Sequence, residues 1–260
     1  MNEIKTLDLV YSNRRRLSVP DARIGLIIPS SNRNTEPQFN YYAPNNLGVN
    51  VQRIQMTGRH QKPLAALLSD VSAAAAVLAD TKPDIIVFHC TGTAMRGGPD
   101  GEAQIIEAIE HASGVDAITT AGAVCDALRS LDIRDLVLVT PYIQAVNEEE
   151  KHYLSNAGFR VLHDVGLQIA TSDDTLKVSP DEWVCLVRKN LRASADGYFL
   201  SCTNTSQIEV IYFLESELNK PVVTSNQAVL WSCLRKLNEK GFHFQPSSKL
   251  GRLLSIGIWR

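Results

Sequence analysis

One short motif occurs twice in this sequence: residues 89–93 read HCTGT and residues 201–205 read SCTNT. Each copy directly follows a short apolar run, IIVF before the first and GYFL before the second. The cysteines of the two copies, Cys90 and Cys202, are 112 residues apart. A repeated motif at the ends of two apolar runs indicates two related halves, which should share further residue pairs at this separation.

Other residues repeat at the same interval. An aspartate precedes each cysteine by six residues, and a proline follows an earlier apolar run in each half; these 112-residue pairs are Asp84 with Asp196 and Pro29 with Pro141. Further along, Thr119 pairs with Thr224 at a separation of 105. The first half therefore contains seven extra residues, which we place in or near the glycine-rich stretch 94–102, AMRGGPDGE. We interpret the chain as a duplication.

Short runs rich in Ile, Val and Leu alternate with helical patterns, which is typical of parallel strands buried on both faces. The predicted strands are Ile24–Ile28, Val49–Met56, Ile85–His89, Leu136–Thr140, Phe159–Leu162 and Tyr198–Ser201, with short ones near Ala117 and Val222. We predict an α/β fold of two similar lobes with parallel sheets, related by pseudo-twofold symmetry, with the active site in the cleft between them. The predicted divisions are an N-terminal extension over 1–22, read as an extra strand or an arm, and lobes over 23–133 and 134–260.

The composition excludes several classes of function. The 260 residues are 44% hydrophobic and 21% charged, with a formal net charge of −2 and no basic block, so a nucleic-acid partner is not expected. No apolar run is long enough to cross a membrane and no secretory signal is visible, so we expect a cytoplasmic protein. Five cysteines without close pairs favour neither disulfides nor a metal site. Phosphate-binding glycine motifs and the hydrolase elbow motif are also missing.

Both repeated cysteines are predicted to face a binding site, because ligands of parallel α/β sheets bind beyond the carboxyl ends of the strands. Ser206 and Glu209 fit a capping box, which would place Cys202 near a helix start and lower the pKa of its thiol. Neighbouring hydroxyls and backbone N–H groups are expected to hold an anion. These groups belong to Thr91, Thr93, Thr203 and Thr205.

The other reactive side chains are expected to be structural or exposed to solvent. Cys125, Cys185 and Cys233 lie in helical patterns and are expected to be small buried hydrophobes. His89 should point away from Cys90 on an extended strand and is interpreted as structural. The stretch 94–102 has the composition of a mobile loop, a candidate lid, in which Arg96 is expected to be solvated.

The segments GLIIPSSN, IIVFHC, VTPY, LSCTN and PVVTSNQAVLW, which span about Arg23 to Leu237, resemble the aspartate/glutamate racemase superfamily. Within it the chain looks most like the maleate cis–trans isomerase and arylmalonate decarboxylase branch. The resemblance implies two lobes with the site between them, no metal or organic cofactor, a small carboxylate or dicarboxylate substrate, and a homodimer or larger homo-oligomer.

The resemblance also implies roles for particular residues. Cys90 corresponds to the nucleophile and Cys202 to the partner acid or base. Ser31, Asn32 and Tyr142 lie in the segments that hold substrate carboxylates, while Thr91, Thr203 and Asn204 would supply hydroxyls and N–H groups. The run IATSDD places Ser172 where isomerases carry another carboxylate-binding asparagine. This departure, together with the polar run TGTAMRGG, keeps a larger or differently charged carboxylate open as the substrate.

Several functions remain in competition on the sequence alone. The presence of both cysteines favours a cofactor-independent two-cysteine isomerase of a small carboxylate, with maleate-type cis–trans isomerisation ahead. An amino-acid or hydantoin racemase is an alternative, as is an arylmalonate-type decarboxylase or a carbon–nitrogen ring-opening enzyme using Cys202 alone. A ligand-binding protein or sensor without turnover is a fourth hypothesis.

Overall fold

The computed structural model describes residues 19–56, 62–245 and 247–256. In the first half of the chain the elements are β1 (Ala22–Pro29), α1 (Thr35–Tyr42), β2 (Leu47–Ile54), α2 (Leu64–Ala79), β3 (Ile85–Phe88), α3 (Thr91–Arg96), α4 (Gly98–Ser113), β4 (Ala117–Thr119) and α5 (Thr120–Ser130). In the second half they are β5 (Asp135–Thr140), α6 (Gln144–Asn156), β6 (Arg160–Gly166), α7 (Ser172–Thr175), α8 (Pro180–Lys189), β7 (Gly197–Leu200), a 3₁₀ turn (Gln207–Val210), α9 (Ile211–Leu218), β8 (Val222–Thr224), α10 (Ser225–Glu239), a 3₁₀ turn (Ser248–Leu250) and α11 (Gly251–Ser255).

The eight strands form two parallel four-stranded sheets with the same topology. The first has the order β2-β1-β3-β4 and the second the order β6-β5-β7-β8. The central strands β3 and β7 are buried along their whole length, as expected for strands covered on both faces. The predicted fold class of two related α/β lobes is therefore confirmed, with each half of the chain supplying one sheet.

The repeated aspartates connect neighbouring strands where those strands begin. A carboxylate oxygen of Asp84 accepts a hydrogen bond from the N–H of Arg23 (2.8 Å), and one of Asp196 accepts from the N–H of Asp135 (2.8 Å). In return the aspartate N–H groups donate to the carbonyls of Arg23 (2.8 Å) and Asp135 (2.7 Å). The 112-residue spacing therefore reflects one structural unit, built twice, that aligns β1 with β3 in the first sheet and β5 with β7 in the second.

The repeated threonines are helix caps. The hydroxyl of Thr119 accepts a hydrogen bond from the N–H of Gly122 at the start of α5, and Thr224 accepts from the N–H of Gln227 at the start of α10. These two helices pack against each other across the lobes. The equivalent cap residues therefore begin equivalent helices on the two sides of the pseudo-twofold axis.

The stretch predicted as a glycine-rich loop is helical. Thr91–Arg96 forms α3, and α4 begins at Gly98 after a break at Gly97. Gly98 has φ of +65°, which glycine adopts at little cost, and Pro99 supplies a backbone angle suited to a helical first turn. The predicted loop is therefore wrong, because two glycines at a helix junction produced the loop-like composition. Movement of this stretch as a lid stays a prediction.

The other local differences are small. The predicted strands over Ile85–His89 and Tyr198–Ser201 each end one residue earlier, at Phe88 and Leu200. The predicted N-terminal extension falls largely outside the described residues, since positions 1–18 are not among them, and the lobe boundaries stay predictions. In the described part of the chain, the helices are too short or too polar to span a lipid bilayer.

Candidate active site

Cys90 and Cys202 lie directly beyond the carboxyl ends of β3 and β7, and both line the same cavity between the lobes. Both side chains are partly exposed. The cavity has a volume of about 270 Å³. Its other lining residues are Met56, Lys62, Leu67, Gly92, Thr93, Arg96, Tyr142, Ile143, Ala145, Val146, Glu149, Ile169, Ala170, Thr171, Ser172, Thr175 and Asn204.

Cys90 occupies the position before the first residue of α3 and has an extended backbone, with φ of −154°. Its sulfur lies 3.3 Å from the hydroxyl oxygen of Thr93. Burial raises the pKa of the Cys90 thiol, hydrogen bonds from the side chain and backbone of Thr93 oppose that rise, and the carboxyl of Glu150 adds to it. The thiol is therefore neutral in the free protein, with donors already in place for the thiolate.

Cys202 has a strained backbone, with φ of +122°, a region that residues other than glycine rarely adopt. Hydrogen bonds hold this conformation: the N–H of Cys202 donates to Ser225 Oγ (3.1 Å), and its carbonyl accepts from the Thr205 hydroxyl (3.2 Å). A non-glycine residue kept in such a conformation indicates that the position of its side chain matters.

The environment of the Cys202 sulfur differs from the prediction. Burial raises the pKa of its thiol to about 12, and hydrogen bonds from the Tyr142 hydroxyl and the Asn204 N–H (3.4 Å) only partly oppose this. The expected capping box is absent, because the Ser206 hydroxyl donates to the carbonyl of Val178 (3.0 Å) instead. The predicted lowering of the thiol pKa by a nearby helix start is therefore wrong.

Tyr142 connects β5 to α6 and reaches the second thiol. Burial is the main reason that the pKa of its phenol lies well above the ordinary value, with the nearby Cys202 and Glu150 adding to the rise. The phenol therefore stays protonated, and its hydroxyl can donate to the Cys202 sulfur. In this position it supports a negative charge on that sulfur or on a ligand beside it.

Five of the nine predicted site residues line the cavity: Cys90, Tyr142, Ser172, Cys202 and Asn204. The other four do not line it; they are Ser31, Asn32, Thr91 and Thr203. The Thr91 hydroxyl donates to Ser225 Oγ (2.9 Å), and Thr203 is buried. Their roles toward a ligand stay predictions, as do those of Ser31 and Asn32.

Ser31 and Asn32 join the lobes to each other. The side-chain amide of Asn32 donates to the Thr203 hydroxyl (3.0 Å), and the Ser172 hydroxyl donates to Ser31 Oγ (3.1 Å). The carbonyl oxygen of the Asn204 side chain accepts from the N–H of Arg33 (2.8 Å). The loop after β1 therefore docks on the second lobe through cavity-lining residues of that lobe, Ser172 and Asn204.

Glu150 was not among the predicted site residues. It lies on α6, has no exposed surface, and accepts a hydrogen bond from the Ser201 hydroxyl at Oε1 (3.0 Å). Its Oε2 has no hydrogen-bond partner among the described residues. Burial raises the pKa of this carboxyl to about 8, and it interacts electrostatically with both thiols.

Ser225 and Asn226 form a buried polar layer beneath the cavity. The amide nitrogen of Asn226 donates to the Thr203 carbonyl (3.1 Å), and its oxygen lies 2.9 Å from Nε2 of His89. Burial lowers the pKa of His89 to about 4, so its ring is neutral. The ring contacts Asn226 in this layer and does not line the cavity. Both residues stand in the segment PVVTSNQAVLW, but no local pattern distinguished them as site residues.

The remaining cysteines differ in environment. Cys125 and Cys233 are buried, as expected, whereas Cys185 is exposed on α8. The prediction that Cys185 is buried is wrong because Trp183, Val184 and Val187 supply the buried face of that helix. Arg96, expected to be solvated, lies at the cavity and 3.9 Å from Glu149.

The cavity suits a small anion with apolar parts. Two cations line it: Lys62, which pairs with Asp70, and Arg96, which lies 3.9 Å from Glu149. Hydroxyl and backbone N–H donors lie beside the two sulfurs. Within the described ranges, no cluster of three or more His, Cys, Asp or Glu side chains is arranged to hold a metal ion. The site thus combines two thiols at one cavity with donors for negative charge.

The fold and the site together define a class: two-lobed α/β proteins with a cysteine from each half at a shared cavity. The family model described as arylmalonate decarboxylase matches residues 24–251. The chain belongs to that family. This confirms the resemblance that the motifs indicated.

Similar proteins carry two kinds of name. The chain is 26% identical to a maleate isomerase of Nocardia farcinica over 226 residues, which cover 83% of this chain and 90% of the relative. It is 29% identical over 156 residues to an arylmalonate decarboxylase of Bordetella bronchiseptica, covering 58% of this chain and 64% of the relative. A solved structure of the Nocardia maleate cis–trans isomerase, a mutant with a covalently bound succinylcysteine intermediate, matches with a TM-score of 0.80 and 25% identity. That match covers 90% of this chain and 98% of the other.

Proposed function

We propose that this protein is a cofactor-independent cis–trans isomerase of a small dicarboxylate of the maleate type. The observation that carries the proposal is that Cys90 and Cys202, from equivalent strand ends of two related halves, line one cavity. The curated relatives named maleate isomerase support the same reaction class. The solved mutant with a succinylcysteine intermediate supports covalent addition of a cysteine sulfur.

In the proposed reaction Cys90 loses its thiol proton to solvent and adds to the double bond. A sulfur–carbon bond forms, and the electron pair of the double bond moves to the adjacent carbon and its carboxylate. The Cys202 thiol gives its proton to that carbon, and the former double bond is now free to rotate. Cys202 then takes the proton back, the electron pair re-forms the double bond, and the sulfur–carbon bond breaks to release the trans isomer.

Groups around the sulfurs stabilise the negative charge that develops. The Thr93 hydroxyl and N–H serve the Cys90 thiolate, and the Tyr142 hydroxyl and Asn204 N–H serve Cys202. Lys62 and Arg96 provide positive charge for the substrate carboxylates. The apolar remainder of the cavity excludes water, which strengthens each of these interactions.

The test is turnover of maleate, followed by proton NMR of the alkene signals, with each cysteine replaced separately. We expect Cys90→Ala to lower turnover by at least about a thousandfold and Cys202→Ala by about a hundredfold or more. Cys185→Ala is the matched control, because that cysteine is exposed on α8. Full turnover in both single-cysteine variants would overturn the two-thiol reaction.

A decarboxylase is the second candidate, favoured by the family description and the Bordetella relative. It would use Cys202 alone to protonate the carbanion left after loss of carbon dioxide. Release of carbon dioxide from a substituted malonate, retained in Cys90→Ala, would identify it. A racemase would instead exchange the α-proton of one enantiomer and lose that exchange in either cysteine variant.

We further propose a homodimer or larger homo-oligomer in the cytoplasm. Five unpaired cysteines fit a reducing compartment. Light scattering coupled to size-exclusion chromatography tests the assembly, and cell fractionation tests the location. A monomer at working concentration, or recovery outside the cytoplasm, would contradict the respective proposal.

A further inference from the structure

We propose that Glu150 is a positioning residue that works as a neutral carboxylic acid behind both thiols, and that its ionisation at alkaline pH suppresses thiolate formation. The inference deepens the proposed function, on which its effect on turnover rests. Its effect on the thiols themselves does not require any particular substrate.

The carboxyl lies between the two halves of the site. Glu150 is on α6, which packs against α3, the helix that follows Cys90. A Cβ built on Gly92, the second residue of α3, would lie 3.9 Å from Glu150 Oε1. On the other side the same oxygen accepts from Ser201, the residue before Cys202. Glu150 therefore contacts the residue before Cys202 and lies close to Gly92, two residues after Cys90, without lining the cavity.

Among the residues that the structure describes, no cation forms an ion pair with this carboxyl. Burial is the main cause that raises its pKa, to about 8, and the nearby charge of Glu149 raises it further. The only hydrogen bond that favours its ionised form comes from Ser201, because Oε2 has no partner among the described residues. At neutral pH the protonated form therefore predominates, which is unusual for a glutamate.

The charged and titratable groups on neighbouring elements do not offset this. Arg96 on α3 is directed to Glu149 (3.9 Å), and Lys151 on α6 pairs with Asp164 on β6 (3.0 Å). The groups that interact electrostatically with Glu150 are all acids: Cys90, Cys202, Tyr142 and Glu149.

Ionisation of Glu150 would place a negative charge beside two sulfurs, one of which must also become negative. The same charge would oppose the carboxylates of a dianionic substrate. In a buried, water-poor region such repulsion is poorly screened. The site is therefore active while Glu150 is protonated. As Glu150 ionises, thiolate formation becomes less favourable and the affinity for a dianionic substrate falls.

The experiment measures alkylation of Cys90 and Cys202 by iodoacetamide, site by site, using mass spectrometry from pH 6 to pH 9. The variant is Glu150→Gln, which keeps the shape and the acceptor for Ser201 but carries no charge. We expect equal rates in variant and wild type at pH 6, and rates about tenfold higher in the variant at pH 9. The exposed Cys185 is the internal control and should react equally in both.

Glu148→Gln is the matched control variant, because it removes a charge from the exposed face of the same helix. It should leave both alkylation profiles unchanged. Ser201→Ala provides a second variant: it removes the hydrogen bond that favours ionised Glu150, so the alkaline suppression should begin at higher pH. A rate ratio between Glu150→Gln and wild type that does not change with pH would overturn the proposal.

Turnover provides a separate result. With maleate, the wild-type KM should rise above pH 8, whereas the KM of Glu150→Gln should stay level. If the protein does not convert maleate at all, the proposed function fails, while the alkylation ratios still decide the role of Glu150.

Discussion

The hydroxyl of Thr91 donates a hydrogen bond to the hydroxyl oxygen of Ser225 (2.9 Å). Thr91 begins the helix after the first cysteine, and Ser225 begins the helix after β8 in the other half. Because the same oxygen accepts from the N–H of Cys202 (3.1 Å), one serine connects the backbone positions of both thiols. Ser225 thus joins Cys202 to the residue after Cys90, although it does not itself line the cavity.

Replacing that serine should loosen both cysteines. We expect Ser225→Ala to lower the free energy of unfolding by about 1–3 kcal/mol, because the buried Cys202 N–H and Thr91 hydroxyl lose their partner. Turnover should fall by about tenfold or more, through kcat. Urea denaturation and steady-state kinetics check this, with Ser232→Ala, seven residues along the same helix, as control. Wild-type kcat in Ser225→Ala would show that the serine does not position the thiols.

The strained backbone of Cys202 predicts an unusual order of stabilities. Cys202→Gly should be more stable than Cys202→Ala by about 1 kcal/mol, because glycine accepts φ of +122° without the steric cost. At Cys90, where φ is −154°, the order should reverse, since glycine there only adds freedom to the unfolded chain. Thermal unfolding of the four variants tests this. The same order at both positions would contradict the assignment of strain to Cys202.

Tyr142→Phe tests the hydroxyl that reaches the second thiol. Loss of this hydrogen bond removes an interaction that holds the Cys202 pKa down, so the thiolate should form at higher pH. We expect kcat to fall about tenfold to a hundredfold and alkylation of Cys202 to slow, with Cys90 little affected. Unchanged alkylation of Cys202 across the pH range would exclude this role.

Glu150 should also make folding stability depend on pH. Its carboxyl titrates at about 8 in the folded protein against an ordinary 4.5, so the folded state holds a proton that the unfolded state has lost. The resulting stabilisation is complete below pH 4.5 and disappears as the pH rises to 8, by roughly 4 kcal/mol in all. Glu150→Gln should lack this decline. Unfolding free energies at pH 5 and pH 8 check it, and equal pH slopes in the two proteins would contradict it.

The sequence predicted the repeated strand starts and helix starts, because local hydrogen bonds to the backbone fix the residues found there. The spacing of Asp84 and Asp196 follows from their contacts to strand starts, and that of Thr119 and Thr224 follows from helix caps. Such contacts are local to one lobe and recur wherever the unit recurs. The placement of both cysteines at strand ends followed from the same pattern.

The features that the sequence did not predict depend on contacts between distant segments. The charged run Glu148-Glu149-Glu150 gives no sign in the sequence of which member is buried. In the structure Glu148 is exposed, Glu149 lines the cavity and Glu150 is buried. Only the packing of α6 against α3 distinguishes them. The pKa of Cys202 was predicted in the wrong direction because burial outweighs its hydrogen bonds, and burial is not visible in a five-residue motif.

The two lobes share one topology but differ in backbone geometry at their cysteines. Cys90 precedes a helix and has an extended backbone, with φ of −154°. Cys202 has a strained backbone, with φ of +122°, and its N–H donates to Ser225. A catalyst that must treat mirror-image molecules alike gains from interchangeable thiols, and these two are not interchangeable. In the proposed reaction this asymmetry fits a division of labour in which one sulfur attacks and the other carries the proton, so the two lobes share a scaffold while their thiols would do different chemistry.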